Sequence, residues 1–111
     1  MSISDQKYLE LAAEYGTPLY VYDADLMRQR YQELFNFIRY PKLKIHYAMK
    51  ANYNPVLLKM LLAAGASLDT VSPGEVLLAL RLGFPADRII FTANNLTDKE
   101  VAEVHAAGVP V

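Results

Sequence analysis

The sequence predicts an α/β fold with a parallel sheet. From residue 43 onward, three short apolar segments with strand preference each precede a helix, and their starts lie about 20 residues apart. These segments are residues 44–50, 67–71 and 89–93, and a fourth begins at Val109. Strand, helix and strand repeated in one direction imply parallel pairing through right-handed crossovers. The periodicity fits both an open doubly wound sheet and a barrel.

Residues 1–42 precede this repeat and form a segment of their own. Ser4 caps a helix over the first fifteen residues, and Gly16 ends it. Residues 17–22 have strong strand preference. Asp23 then caps a second helix, whose end is set by Pro41. We therefore divide the chain into residues 1–42 and a set of βα units over residues 43–111.

Helix boundaries within the repeat are marked by capping residues, prolines and glycines. Asn54 and Ser72 each precede a proline at the first helical position. Ser72 and Thr97 each stand three residues before a glutamate, which predicts two capping boxes and explains Ser72 and Glu75 without a catalytic role. Glycines that favour the left-handed conformation follow each helix, at Gly65, Gly83 and Gly108. Apolar side chains expected to pack on the strands are Val56, Leu57, Met60, Leu61, Val76, Leu77 and Leu80.

Composition limits the classes of function. Of the 111 residues, 53% are apolar, which is enough to form a core. The chain is too short for a complete catalytic barrel of about 250 residues. Eleven basic and twelve acidic residues form no long run, so neither nucleic acid nor a membrane surface is an expected partner. The absence of cysteine excludes disulfides and thiolate chemistry and fits a reducing cytoplasm. The start of the chain lacks a secretory signal, and we expect a soluble protein.

Lys50 is the first candidate for chemistry. Strand alternation places His46, Ala48 and Lys50 on one face, with Lys50 at the C-terminal end of a parallel strand. Both barrels and doubly wound sheets bind ligands at that end, and a neutral lysine amine there can form an imine with an aldehyde cofactor. The alternative is a strand-end lysine whose stem packs while its ammonium reaches water.

Other polar residues have structural explanations beside the functional ones. Asp69 lies in an otherwise apolar strand, where an unpaired carboxylate is costly, so we expect a partner, and Lys50 on the neighbouring strand is a candidate. The asparagines at 94–95 are explained by turn chemistry. His46 is expected to be a satisfied interior histidine and His105 a surface residue, and together they make no metal motif.

Three segments together resemble one enzyme family. They are residues 46–52 (His-Tyr-Ala-Met-Lys-Ala-Asn), 68–75 (Leu-Asp-Thr-Val-Ser-Pro-Gly-Glu) and 91–95 (Phe-Thr-Ala-Asn-Asn). In order and spacing they are similar to the N-terminal portion of the diaminopimelate decarboxylase family. That family belongs to the alanine racemase-like, fold type III enzymes that depend on pyridoxal 5'-phosphate. The resemblance runs from about Tyr15 to the end of the chain.

For the fold and the site, the resemblance has specific implications. It implies that residues 43–111 are a partial TIM barrel of about three βα units, and that the 17–22 strand joins a separate β domain. It implies that Lys50 is the Schiff-base lysine, that Ala48 lies beneath the cofactor ring and that Asp69 lies near the cofactor. Ordinary barrel filling by Ala48, and a structural ion pair or hydrogen bond for Asp69, are the alternatives.

For function, the resemblance implies a lyase of lysine biosynthesis that converts meso-diaminopimelate to L-lysine and CO2, as a cytoplasmic homodimer when full length. Ornithine, arginine or carboxynorspermidine decarboxylation, a non-catalytic carrier of pyridoxal phosphate, and a folding or interaction module in which Lys50 is idle are the alternatives. The family's residues for the cofactor phosphate, the pyridine nitrogen and substrate recognition are expected beyond Val111. The 111 residues alone are therefore expected to be inactive.

Overall fold

The structure is a computed structural model that describes residues 3–111. It divides into two compact units, one up to Phe37 and the other over Ile38–Val111. The first unit contains helices α1 (Asp5–Tyr15) and α2 (Ala24–Phe37). The Ser4 hydroxyl accepts a hydrogen bond from the α1 backbone at 3.3 Å, and Gly16 follows α1 with φ 84°. Both predicted helices are confirmed, although α2 ends before Pro41.

Asp23 caps α2 as the sequence predicts. Its Oδ1 accepts a hydrogen bond from the Leu26 N–H at 2.9 Å, and its Oδ2 accepts one from the Ile3 N–H at 3.1 Å. The hydrogen bond from Leu26 is the main reason that the pKa of the Asp23 carboxyl lies below its ordinary value. The ionised form of Asp23 is thus the form that stabilises the start of α2.

This cap predicts a pH dependence of stability. Because the folded-state pKa of Asp23 is lower than the unfolded one, the stabilisation is complete above the ordinary value of 3.8 and is lost as pH falls through the folded value. We expect Asp23→Asn, which keeps a capping oxygen, to remove this part of the acid destabilisation in urea unfolding between about pH 5 and pH 2. The control Asp25→Asn removes an equal charge from α2, together with an exposed ion pair to Arg28, and leaves the Asp23 side chain in place. An acid destabilisation identical in the wild type and Asp23→Asn would contradict the assignment.

Residues 17–22 do not form the predicted strand. Within residues 3–111 no other segment pairs with them, and Tyr20 is 89% exposed. Strand preference alone does not make a strand, because the backbone groups need a neighbouring strand to bond with. The Thr17–Pro18 peptide bond is cis. That these residues join a separate β domain stays a prediction.

The second unit is built on a parallel sheet of three strands in the order β1-β2-β3. A helix follows each strand, as the repeat predicts. The elements are β1 (His46–Ala48), α3 (Pro55–Ala63), β2 (Ser67–Thr70), α4 (Pro73–Leu82), β3 (Ile89–Phe91) and α5 (Asp98–Ala106). After α5 the chain returns to the sheet, where the Phe91 N–H donates a hydrogen bond to the Pro110 carbonyl at 3.1 Å. The chain after Gly108 thus lies beside β3, but the strand predicted to begin at Val109 is not formed.

All three helices of this unit pack on one face of the sheet. Strand residues Leu68, Ile89 and Phe91 form a single core with residues from every helix: Leu58 of α3, Val76 and Ala79 of α4, and Val104 of α5. In a doubly wound sheet the crossover helices cover both faces, whereas in a barrel they cover only the outer face. The strand order and this one-sided packing confirm the predicted α/β class, and they fit both the start of a barrel and one half of a doubly wound sheet.

The caps of α4 and α5 differ in detail. Thr97 and Glu100 form the complete capping box that the sequence predicts. At α4, Ser72 Oγ accepts from the Glu75 N–H at 3.2 Å, but the Glu75 carboxylate accepts from the Val71 N–H at 2.8 Å. The α4 glutamate thus reaches one residue further back than a capping box requires, so the capping box predicted at Ser72 is wrong.

Two of the residues expected in the core are on the surface. Val56 is 67% exposed and Leu77 is 53% exposed. The α3 and α4 sequences are apolar around most of their circumference, so their periodicity does not select one face. In the structure, α3 buries Leu57, Leu58 and Leu61, and α4 buries Val76 and Ala79.

Candidate functional site

Lys50 lies in a single 3₁₀ turn, Met49–Ala51, directly after β1. The prediction that the strand continues to residue 50 is wrong, because β1 ends at Ala48. Met49 turns into the core, where it is fully buried, whereas Lys50 is exposed. This division suits the two side chains, since the thioether packs in apolar surroundings and the ammonium stays solvated. Lys50 still stands at the C-terminal end of a parallel strand.

The sheet face opposite the helices carries the other predicted site residues. The parallel register pairs Ala48 of β1 with Asp69 of β2, and Asp69 with Ile90 of β3. These residues alternate with the core residues Leu68 and Ile89, so they lie on the face that the helices leave uncovered. Ala48, Asp69 and Ile90 are each half-buried. The fold thus brings Ala48 and Asp69 side by side, with Lys50 two residues beyond Ala48.

Asp69 has a different partner from the one expected. Thr92 Oγ1 donates a hydrogen bond to Asp69 Oδ1 at 2.5 Å. The ion pairs found within residues 3–111 do not join Asp69 to Lys50, so that candidate pairing is wrong for this structure. Thr92 was missed by the sequence reasoning, although alternation from Ile90 places residue 92 on the same face.

The remaining candidates take structural roles. Asn95 has φ 56°, in the left-handed region, which confirms the turn role predicted for this asparagine. His46 is half-buried in β1, and His105 is exposed on α5 as predicted. The described part of the chain contains no cluster of three or more side chains that could hold a metal ion. None of its helices is both long enough and apolar enough to cross a membrane.

Comparison with known proteins decides the family. The family described as pyridoxal-dependent decarboxylase, pyridoxal binding domain, matches residues 25–111, which is most of the chain. This chain belongs to that family. The match includes β1, the 3₁₀ turn with Lys50, and both Asp69 and Thr92.

Relatives of this pyridoxal-dependent decarboxylase segment agree in sequence and in fold. Diaminopimelate decarboxylase of Methanothermobacter thermautotrophicus is 42% identical over 105 residues, which cover 93% of this chain and 24% of that protein. The corresponding enzyme of Bacillus subtilis is 42% identical over 95 residues, covering 84% of this chain and 22% of that protein. The chain therefore spans about a quarter of the length of the curated relatives it matches.

Solved structures extend the agreement to the fold. Lysine/ornithine decarboxylase from Vibrio vulnificus, complexed with putrescine, superposes with a TM-score of 0.86 at 34% identity over 97% of this chain and 30% of that one. Diaminopimelate decarboxylase from Helicobacter pylori, complexed with L-lysine, gives a TM-score of 0.84 at 31% identity over 92% of this chain and 26% of that one. The predicted partial TIM barrel and the resemblance to fold type III decarboxylases are thereby confirmed.

Proposed function

We propose that this chain is the part of an amino-acid decarboxylase that carries the cofactor lysine, Lys50, and that the whole enzyme converts meso-diaminopimelate to L-lysine and CO2. The observation that carries the proposal is the position of Lys50, exposed after β1 at the edge where Ala48 and Asp69 lie side by side. The identity of 42% to diaminopimelate decarboxylases over most of the chain supports this substrate.

The residues at this edge fit pyridoxal phosphate. Lys50 supplies a solvent-accessible primary amine, which is the group that condenses with an aldehyde. Ala48 has a small side chain, which leaves room for a flat ring above the strand. Asp69 supplies a carboxylate with an oxygen beyond the one that Thr92 occupies. We propose that these three residues hold the cofactor, with Lys50 as its covalent attachment.

Each of these residues has a defined task in the proposed reaction. When bound, pyridoxal phosphate supplies an electron sink for the pair of electrons released with CO2. Lys50 would attach the cofactor through Nζ, the atom at which it can also hold a proton. Ala48 would leave room for the cofactor ring, and the Asp69 carboxylate would accept a hydrogen bond from a donor at the same edge.

A second candidate is decarboxylation of ornithine or lysine. The TM-score of 0.86 to the lysine/ornithine decarboxylase of Vibrio vulnificus favours it, since the two barrels begin in the same way. Arginine and carboxynorspermidine are further substrates of the same chemistry. A non-catalytic carrier of pyridoxal phosphate would bind the cofactor through Lys50 but release no CO2. An interaction module would neither bind the cofactor nor release CO2.

CO2 release from a panel of amino acids tests the proposal. We expect the full-length gene product to decarboxylate meso-diaminopimelate with a kcat/KM at least about 100-fold above that for ornithine, lysine, arginine or carboxynorspermidine, since a site built for polar groups rejects analogues lacking them. Ornithine or lysine as the best substrate would select the second candidate. No CO2 from any of them, with cofactor bound, would indicate the carrier. A polypeptide of residues 1–111 serves as the control and is expected to release none.

We further propose that the whole enzyme acts as a homodimer in the cytoplasm. The resemblance to the decarboxylase family supports the dimer, and the absence of cysteine from this chain fits a reducing compartment.

A further inference from the structure

We propose that Thr92 is a positioning residue that fixes the Asp69 carboxylate in the cofactor site. The inference rests on the proposed function and adds a residue to it. Thr92 lies just beyond β3, and its Oγ1 donates to Asp69 Oδ1 at 2.5 Å, across from β2. A hydrogen bond from a hydroxyl to an ionised carboxylate is short and strong compared with one between neutral groups.

Thr92 is itself held in place by the neighbouring strand. Its backbone N–H donates to the Thr70 carbonyl at 3.0 Å, which continues the parallel pairing of β2 and β3. The Thr70 side chain, which is fully buried, donates back to the Ile90 carbonyl at 2.8 Å. The ends of β2 and β3 are thus cross-linked by three hydrogen bonds, from the Thr92 N–H, Thr70 Oγ1 and Thr92 Oγ1. The Thr92 backbone is therefore held beside Asp69, within hydrogen-bond distance of its carboxylate for the Thr92 hydroxyl.

The hydrogen bond has a consequence for the chemistry of Asp69. Thr92 occupies one carboxylate oxygen, whereas Oδ2 accepts no hydrogen bond from any residue that the structure describes. Asp69 has Ala48 as its register partner on the other side, and Lys50 follows two residues later. Oδ1 of the carboxylate is hydrogen-bonded to Thr92, beyond β3, so Oδ2 is available to accept a hydrogen bond from a group at the edge that carries Lys50. Without Thr92 the carboxylate is free to rotate, and the orientation of Oδ2 is lost.

Substitution of Thr92 in the full-length enzyme tests this role. We expect Thr92→Val, which is nearly isosteric but lacks the hydroxyl, to lower kcat about tenfold and to change KM less than about twofold. We expect Thr92→Ser, which restores a hydroxyl, to recover kcat to within about twofold of the wild type. If Thr92→Val is insoluble, the same comparison is made between Thr92→Ser and Thr92→Ala. We also expect Thr92→Val to weaken binding of pyridoxal phosphate, measured by titration of the cofactor absorbance, and Thr92→Ser to restore it. A serine variant that is as slow and binds the cofactor as weakly as the variant without a hydroxyl would overturn the proposal.

A double-mutant cycle with Asp69→Ala shows whether Thr92 acts through Asp69. We expect the second substitution, Thr92→Val in the Asp69→Ala enzyme, to lower kcat less than about twofold further, because the hydrogen bond is already absent. Rate losses that simply multiply would assign Thr92 a general structural effect and overturn the proposal. A wild type inactive on every amino acid would defeat the proposed function, whereas an active wild type with an equally active Thr92→Val variant would defeat only this inference.

Discussion

Replacement of Lys50 by alanine is expected to lower the kcat of the full-length enzyme at least about 1000-fold, because the reaction loses its covalent anchor and its proton carrier at once. Absorbance of the bound cofactor should report the loss of the imine, and mass spectrometry after borohydride reduction should place the label on Lys50 of the wild type. Lys50→Arg is expected to be as inactive as Lys50→Ala, since a guanidinium keeps the charge but does not act as a nucleophile.

Lys59 provides a matched control for this experiment. It is an exposed lysine of α3, in the same family-matched region but away from the C-terminal edge of β1. We expect Lys59→Ala to keep the imine absorbance and kcat within about twofold of the wild type. Borohydride label on another side chain, or an active Lys50→Ala enzyme, would rule out the assignment of Lys50.

Truncation of Phe84 is expected to have the largest effect on stability. Phe84 is 2% exposed in the core that joins the helices to the sheet, and the Arg88 guanidinium lies 6.0 Å from its ring centroid. Phe84→Ala removes most of a buried aromatic side chain and leaves a cavity, so we expect the free energy of unfolding to fall by about 3–5 kcal/mol. Urea unfolding followed by far-UV circular dichroism measures this change.

Val56 offers the contrasting substitution. Because it is 67% exposed, we expect Val56→Ala to change the free energy of unfolding by no more than about 0.5 kcal/mol. If the alanine variants at positions 84 and 56 were equally mild, the core described for the second unit would be incorrect.

Helix starts could be predicted from the sequence, because their signals are local. Ser4, Asp23, Asn54 and Thr97 each accept a hydrogen bond from a backbone amide two or three residues away. Strand ends depend on the length of the neighbouring strand that pairs with them. The strand predicted over residues 44–50 is therefore shorter in the structure, where it spans His46–Ala48. For the same reason residues 17–22, which have no paired neighbour among the described residues, form no strand.

The position of the candidate residues could be predicted only in part. The register pairs Ala48 with Asp69, but Lys50 lies in the 3₁₀ turn after β1, where strand alternation does not apply, and a shared cofactor site stays a prediction. The partner of Asp69 was wrong because opposite charge suggested Lys50, whereas the contact depends on the register of β2 against β3. That register pairs Asp69 with Ile90 and leaves Thr92 within reach of the carboxylate, which no pattern within one strand reveals.

The burial of Met49 bears on how accurately Lys50 can work. A lysine carries its amine at the tip of a long flexible stem, so a small rocking of the backbone is magnified at Nζ. Because the preceding residue, Met49, is fully buried in close-packed surroundings, the backbone at Lys50 is held in place, and Nζ moves through side-chain torsions only. A substitution that leaves a cavity around Met49 would therefore make the position of Nζ less well defined, even when the protein stays folded.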